Sequence, residues 1–424
     1  MTLTTDADRL DLTRFLRPGD RIVWGHACGE PTTLIEALLA QAQAIGPLAA
    51  FAATSFSGVL DAAAARKIAI SSIGAIGSLR ELAQAHGLAI VPCHASQVAP
   101  MIEQGLIGCD VAFVQVSPAD AEGNHSFGLI GDFVAAAVKK ARVIIAEVNE
   151  RVPFTRGDDV LPAARIDCAV RVARDPVELP AAAIGDTDLA IARVVAGYIG
   201  DGATLQVGIG AVPDAILRLL RDRRDLGIHS GMIGDGLVDL VEAGVITNAR
   251  KPIDSGTSIT GALIGTRRLF AFADRNPAIG MRNSAYTHAP TVLSVLPRLV
   301  TINSAIEVDL TGQVNAEQSG PLYLGGTGGQ VEFVRAGARS AGGRSIIALP
   351  ATARGGKISR ITAALSGPVT TARSEVDVIV TEFGAAELKG QSLAERARRL
   401  TAIAHPDFRG ELEQTARGIQ QKGF

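Results

Sequence analysis

Short runs of β-branched and other apolar residues recur along the chain, among them RIVWG (21–25), VAFVQVS (111–117), RVIIAEV (142–148), SIIALP (345–350) and VDVIVTE (376–382). Between them lie longer, alanine-rich amphipathic stretches such as EPTTLIEALLAQAQA (30–44) and VPDAILRLLRDR (212–223). Apolar runs of strand length alternating with helical periodicity predict parallel sheets wrapped by helices, an α/β fold.

The pattern also repeats itself. PGDRIVWGHACGEPTTLIEALL (18–39) lines up with IGDGATLQVGIGAVPDAILRLL (199–220), each reading as Gly-Asp, strand, glycine turn, proline and helix. IGAIGSLREL (73–82) matches TGALIGTRRL (260–269), and the turn Asp120–Gly123 matches Asp309–Gly312. Three matches in order, at separations of about 181 to 189 residues, predict a duplicated α/β unit. Apolar periodicity lapses in VELPAAAIGDTD (177–188), so the expected domains are 1–180 and 181–424. With 424 residues, 47% of them hydrophobic, each half can bury its own core.

Charge narrows the partners. Lys plus Arg (41) and Asp plus Glu (43) nearly cancel, leaving no basic field for nucleic acid. The N-terminus lacks a basic start followed by an apolar core, and no apolar run reaches spanning length, so a soluble, unprocessed cytoplasmic protein without membrane contact is expected. Cys28, Cys93, Cys109 and Cys168 are scattered, with no CxxC pair or metal-like spacing; buried thiols, and no metal, follow.

Two glycine loops stand out. QVGIGAVP places Gly208 and Gly210 between a strand and a helix, but it lacks the third glycine and the downstream acidic residue of a dinucleotide site, so NAD is not expected. Such a turn still offers backbone N–H groups to a carbonyl or phosphate. The segment TGQVNAEQSGPLYLGGTGGQVEFVRAG (311–337) packs four glycines into residues 325–329, which lets backbone pass close to a ligand.

Taken with GHACGEP (25–31), VSPADAEGNHSFG (116–128), AEVNERVP (146–153), DGLVDLVEAGVITN (235–248), INSAIEVDLTGQVNAE (302–317), SIIALPATARGGKISRI (345–361) and TEFGAAELKGQSLAERA (381–397), these stretches make the chain resemble the acetyl-CoA hydrolase and 4-hydroxybutyrate CoA-transferase branch of the family I CoA-transferases. The resemblance implies two similar α/β domains with the active site at their interface, coenzyme A as the acyl-CoA substrate, and a homo-oligomer. It also implies an oxyanion site made by the Asn315 amide and backbone N–H groups of the glycine loop, with Gly326 and Gly328 as donors. Gly208, Gly210, Gly325, Gly329 and Gln330 are then expected along CoA, with Arg335, Arg354 and Lys357 as candidates for its phosphates.

One position departs from the family. Its nucleophilic glutamate lies in a stretch that here would read H-S-E-M, and the chain has His229, Ser230, Gly231 and Met232. Glu317 and His229 are the candidate substitutes in acid–base work, whereas Asp235 reads as a helix cap ahead of VDLVEAG. Without the covalent glutamate, direct attack on the thioester by water or a small acceptor is expected. The alternatives are a lyase or decarboxylase working through a CoA enolate, a non-catalytic CoA-binding protein, or a conventional carboxylate CoA-transferase if Gly231 is an introduced substitution.

Overall fold

The computed structural model describes residues 2–422. The described residues form two compact units: 2–180, 231–235 and 259–289 make the first, and 181–230, 236–258 and 290–422 make the second. Among the described residues, no helix is long and apolar enough to cross a membrane.

The first unit is built on an eight-stranded sheet: β1 (Leu3–Asp6), β2 (Arg21–Trp24), β3 (Ala49–Phe51), β4 (Ala69–Ser72), β5 (Leu88–Ile90), β6 (Val111–Val116), β7 (Val143–Asn149) and β8 (Cys168–Val172). The spatial order is β1-β8-β7-β6-β2-β3-β4-β5, with every pairing parallel. Every residue of β6 is buried, as a parallel strand covered on both faces requires. The helix Thr32–Ile45 buries Leu34, Ile35, Leu38, Ala42 and Ile45, one stripe at three- and four-residue spacing. It ends at Gly46, where a φ of 109° and an N–H donated to Ala42 O close the last turn.

The second unit holds β9 (Thr204–Val207), β10 (Gly227–Ile228), β11 (Leu299–Asn303), β12 (Arg344–Ala348), β13 (Val378–Thr381) and β14 (Gly384–Glu387). Their order is β10-β9-β11-β12-β13-β14, parallel except for the closing β13–β14 pair. The two sheets share one topology. A first strand (β2 or β9) sits inside the sheet, its successor (β3 or β10) pairs on one side, and three later strands (β6, β7, β8 or β11, β12, β13) add in sequence on the other. The duplication expected from the chain is therefore present in strand order.

The halves differ in their extensions. In the first, β4 and β5 lengthen the sheet. Their counterparts by position along the chain, Ser258–Thr260 and Ile279–Met281, form a separate two-stranded sheet. Residues 259–289 belong instead to the first unit, held there by bridges between Ile130 and Ala262 and between Gly157 and Met281. All four cysteines are buried; burial pushes the Cys28 thiol up to about 12, so it stays protonated.

Candidate active site

In open parallel sheets, ligands collect at the carboxyl ends of the strands, where loops and helix N-termini converge. In the second unit, β9 runs into Gly208–Gly210 and then the helix Ala211–Leu219. Gly210 caps that helix with φ at 118°, a conformation L side chains rarely adopt. A Cβ on Gly208 or Gly210 would meet nothing within 4 Å, so both backbones border open space. At the end of the neighbouring β10, the buried His229 donates its N–H to Leu205 O at 3.0 Å, and Ser230 Oγ donates to Val207 O at 3.0 Å. Beyond β11, Ser304 O accepts from Gln330 Nε2 at 2.6 Å, which brings the glycine-rich loop to the same end of the sheet.

The glycine-rich loop is organised by a buried polar cluster. Glu307–Asp309 pairs antiparallel with Val314–Asn315 around a turn in which Asp309 Oδ1 accepts from Thr311 N–H, Thr311 Oγ1 and Gln313 N–H. Asn315 is fully buried. Its Nδ2 donates to Glu307 Oε1 at 2.8 Å and to Gln318 O at 2.6 Å, while its Oδ1 accepts from the N–H groups of Glu317 and Gln318. A side-chain amide has two N–H bonds, so both are committed inside the loop. Glu307 Oε1 also accepts from Ser366 N–H and Oγ. Glu317, buried, receives Tyr323 Oη at 2.6 Å and Thr370 Oγ1 at 2.8 Å. Burial and the Glu317 carboxylate together push the Tyr323 phenol far above its usual range, so it remains a donor.

The glycines follow from this scaffold. Leu324 and Gly325 both donate to Glu317 O, and a Cβ on Gly325 would lie 2.2 Å from Ala316 O, so residue 325 must lack a side chain. Gly328 is left-handed, with φ at 50°, and Gly329 caps the helix Gln330–Arg339. Gln330 Oε1 accepts from Thr371 Oγ1 at 3.0 Å, so its side chain locks the loop on both sides. Arg335 pairs with Glu375 at 3.2 Å. Arg354 and Lys357 are exposed on the hairpin joining Thr352–Ala353 to Ile358–Ser359, around Gly355 and Gly356.

Gly231, half-buried, begins the short return of the chain to the first unit. Its carbonyl accepts from Gly261 N–H at 3.1 Å; Ile233 N–H donates to Ala262 O, and Ile264 N–H to Ile233 O. Asp235 is a cap, though of a different helix from the one expected: its carboxylate accepts from Thr266 N–H and Oγ1 and from Leu269 N–H, at the start of Arg267–Ala273. The reason is tertiary, since residues 231–235 run beside residues 261–266 and not along their own succeeding helix.

The first unit holds a polar pair that the sequence did not single out. At the end of β2, His26 Nε2 lies 3.2 Å from Asp132 Oδ2, and its ring stacks on Phe133 at 5.3 Å. Burial alone raises an aspartate, but the hydrogen bond and field of His26, the field of His288 and the Ser284 hydroxyl outweigh it and hold Asp132 below its usual value. His26 lies within the quoted GHACGEP, yet its partner is 106 residues away and no local spacing announces it. Two further carboxylates from the quoted stretches are buried nearby in sequence terms. Burial raises both Glu30 and Glu147, against hydrogen bonds from the Ser55 region and the Arg174 ion pair respectively, and both serve as internal braces.

Residues 8–179 match the family model described as the acetyl-CoA hydrolase/transferase N-terminal domain, and 265–416 match its C-terminal domain. The chain is 40% identical over 396 residues to a 4-hydroxybutyrate coenzyme A transferase of Clostridium kluyveri, covering 92% of each chain. Its structure resembles that of RipA from Yersinia pestis, with a TM-score of 0.91 and 33% identity over 99% of this chain and 98% of that one. It also resembles a 4-hydroxybutyrate CoA-transferase from Porphyromonas gingivalis, with a TM-score of 0.83 and 34% identity over 98% and 97% of the two chains. With its strand order, its glycine loops and these likenesses in agreement, the chain belongs to the acetyl-CoA hydrolase/transferase family of enzymes.

Proposed function

We propose that this enzyme opens an acyl-CoA thioester by direct attack of water or a small acceptor on the carbonyl carbon, without a glutamyl-CoA intermediate. The observation that carries the reading is the glycine at 231, which has no side chain to attack at the position where the resemblance implies a glutamate. Removing a required covalent nucleophile can lower turnover on the order of a million-fold, so a chain without one needs another route. Backbone N–H groups of Gly326 and Gly328 take the developing oxyanion, each such donor worth roughly 100- to 1000-fold. Asn315 and Glu317 hold that loop in place. CoA runs along Gly208, Gly210, Gly325 and Gly329, with Arg354 and Lys357 as the exposed cations for its phosphates.

The test is incubation with a panel of acyl-CoAs in 18O-labelled water, followed by mass spectrometry of both products. Free CoA, a singly labelled carboxylic acid and no CoA adduct on the protein are expected. A product that keeps its thioester would move the assignment to a lyase acting through a CoA enolate. CoA exchange onto acetate through a protein-bound thioester would restore conventional transfer.

A further inference from the structure

Direct attack by water needs a base, since neutral water is a poor nucleophile toward a thioester. The first unit places one beside residue 231. Gly231 O accepts from Gly261 N–H at 3.1 Å, and Gly261 O in turn accepts from Gly131 N–H at 2.9 Å and from Asp132 N–H at 3.4 Å. Residue 231 and Asp132 are therefore separated by one intervening backbone segment. Two such spacings amount to about 10 Å. Asp132 carries His26 at 3.2 Å.

The pair is arranged as a base and its orienter. An ionised carboxylate only accepts hydrogen bonds, so the Nε2 facing Asp132 carries a proton, and in the neutral ring the lone pair is then on Nδ1. That Nδ1 is buried and meets no hydrogen-bond partner among the described residues, although His26 as a whole is only 7% exposed. A buried, unsatisfied ring nitrogen is costly and uncommon, and in a polar setting a water or a substrate atom is its natural complement. Further groups surround Asp132. Asp132 also lies beside the Ser284 hydroxyl and His288, and burial lowers His288 so that it stays neutral, its Nδ1 2.8 Å from Thr287 Oγ1. The aromatic face of Phe133, itself edge-on to Phe51 at 5.8 Å, fixes the plane of the His26 ring.

We propose that His26, oriented by Asp132, is the general base that activates the attacking water, the duty left open at Gly231. This rests on the direct-attack reading above. The water O–H bond breaks as its oxygen bonds the thioester carbon, and the proton passes to His26 Nδ1. The tetrahedral intermediate then collapses with cleavage of the C–S bond, and the imidazolium returns the proton to the leaving sulfur, giving the carboxylic acid and CoA thiol. The same base serves an alcohol acceptor, which must also lose a proton.

The experiment compares His26→Gln and Asp132→Asn with the unaltered enzyme, using the acyl-CoA that it cleaves fastest. Two nucleophiles are supplied, water and hydroxylamine. Hydroxylamine attacks a polarised thioester without prior deprotonation, so it bypasses a missing base but not a damaged fold. In His26→Gln, hydrolytic kcat is expected to fall roughly 100- to 10,000-fold. KM should stay within about threefold, and hydroxylaminolysis should be largely retained. Asp132→Asn preserves volume but can present an amide N–H to Nε2, forcing the proton onto Nδ1, and the same selective loss is expected. Parallel loss of both reactions, or loss of neither, would overturn the proposal while leaving direct attack intact. An unaltered enzyme that releases no CoA from any acyl-CoA would sink the direct-attack reading itself, and the proposal with it.

Discussion

The Asn315 cluster of the second unit and the His26–Asp132 pair of the first, in which His26 is buried and Asp132 half-buried, both join side chains to partners that the fold supplies. They differ in how completely they are satisfied. Every N–H and carbonyl lone pair that Asn315 uses is matched within its own loop, and Glu307 and Glu317 are matched by hydroxyls and backbone. His26 instead keeps one ring nitrogen unmatched. A fully satisfied network specifies shape, because each member is held by the others. A partly satisfied one holds a group ready for something else, and such groups collect at functional sites. The first cluster braces the glycine loop, and the second is the pair to which the proposal assigns chemistry.

The largest expected effect comes from inverting the satisfied cluster. Asn315→Asp keeps the side-chain volume but sets a carboxylate against Glu307 Oε1, where the amide now donates at 2.8 Å. Two lost donors and a like-charge contact should destabilise by about 3 kcal/mol or more, read as a lower midpoint in urea unfolding. Asp132→Asn should move the same midpoint by only about 1 kcal/mol while abolishing most hydrolysis. If the two variants lose stability equally, the division between scaffold and chemistry fails.

Next in size is the contrast between two glycines of one loop. Gly325→Ala drives a methyl to 2.2 Å from Ala316 O and should cost about 1–3 kcal/mol, with a fall in turnover of roughly tenfold or more as the loop shifts. Gly328→Ala meets nothing within 4 Å and pays only the left-handed conformation, about 1 kcal/mol. Equal effects on turnover would mean that the loop is not anchored through residue 325.

Gly231→Glu tests whether the backbone still aims its position at the thioester. A glutamyl-CoA adduct at residue 231, trapped with borohydride or hydroxylamine and mapped by peptide mass, is the expected outcome, together with some exchange of CoA onto acetate. A variant that binds CoA yet forms no adduct would show that the site is organised around water alone.

The smallest effect concerns acid stability. Asp132 is held below the unfolded carboxyl value, so its contribution is present above about pH 4, the usual aspartate range, and is lost as pH falls through the lower folded value. Asp132→Asn should flatten the acid limb of the stability profile below about pH 4 and leave the neutral region unchanged in slope. A limb of identical shape in both proteins would place the stabilising field elsewhere.

Much of the architecture was legible along the chain because strand and helix periodicities are local. The parallel strands fall where the apolar runs lie, and the duplicated strand–turn–helix unit reappears as one strand order in both sheets. Each turn holds a residue at positive φ, Ala27 after β2 at 52° and Gly210 after β9 at 118°. The departures occur where the chain changes neighbours. Asp235 caps a helix that begins 32 residues later in the chain, and residues 259–289 leave the second unit to complete the first.

The sequence by itself determined the class of fold, the repeat and the family, since each is carried by residue type and spacing within a few turns of chain. Only the tertiary structure decided which polar groups meet. His26 and Asp132 are 106 residues apart, and Gly231 reaches their neighbourhood through the backbone of Gly261. The physical reason is range: burial of an apolar stripe is specified by local periodicity, whereas a hydrogen bond acts only within about 3 Å, and the fold alone brings distant residues that close.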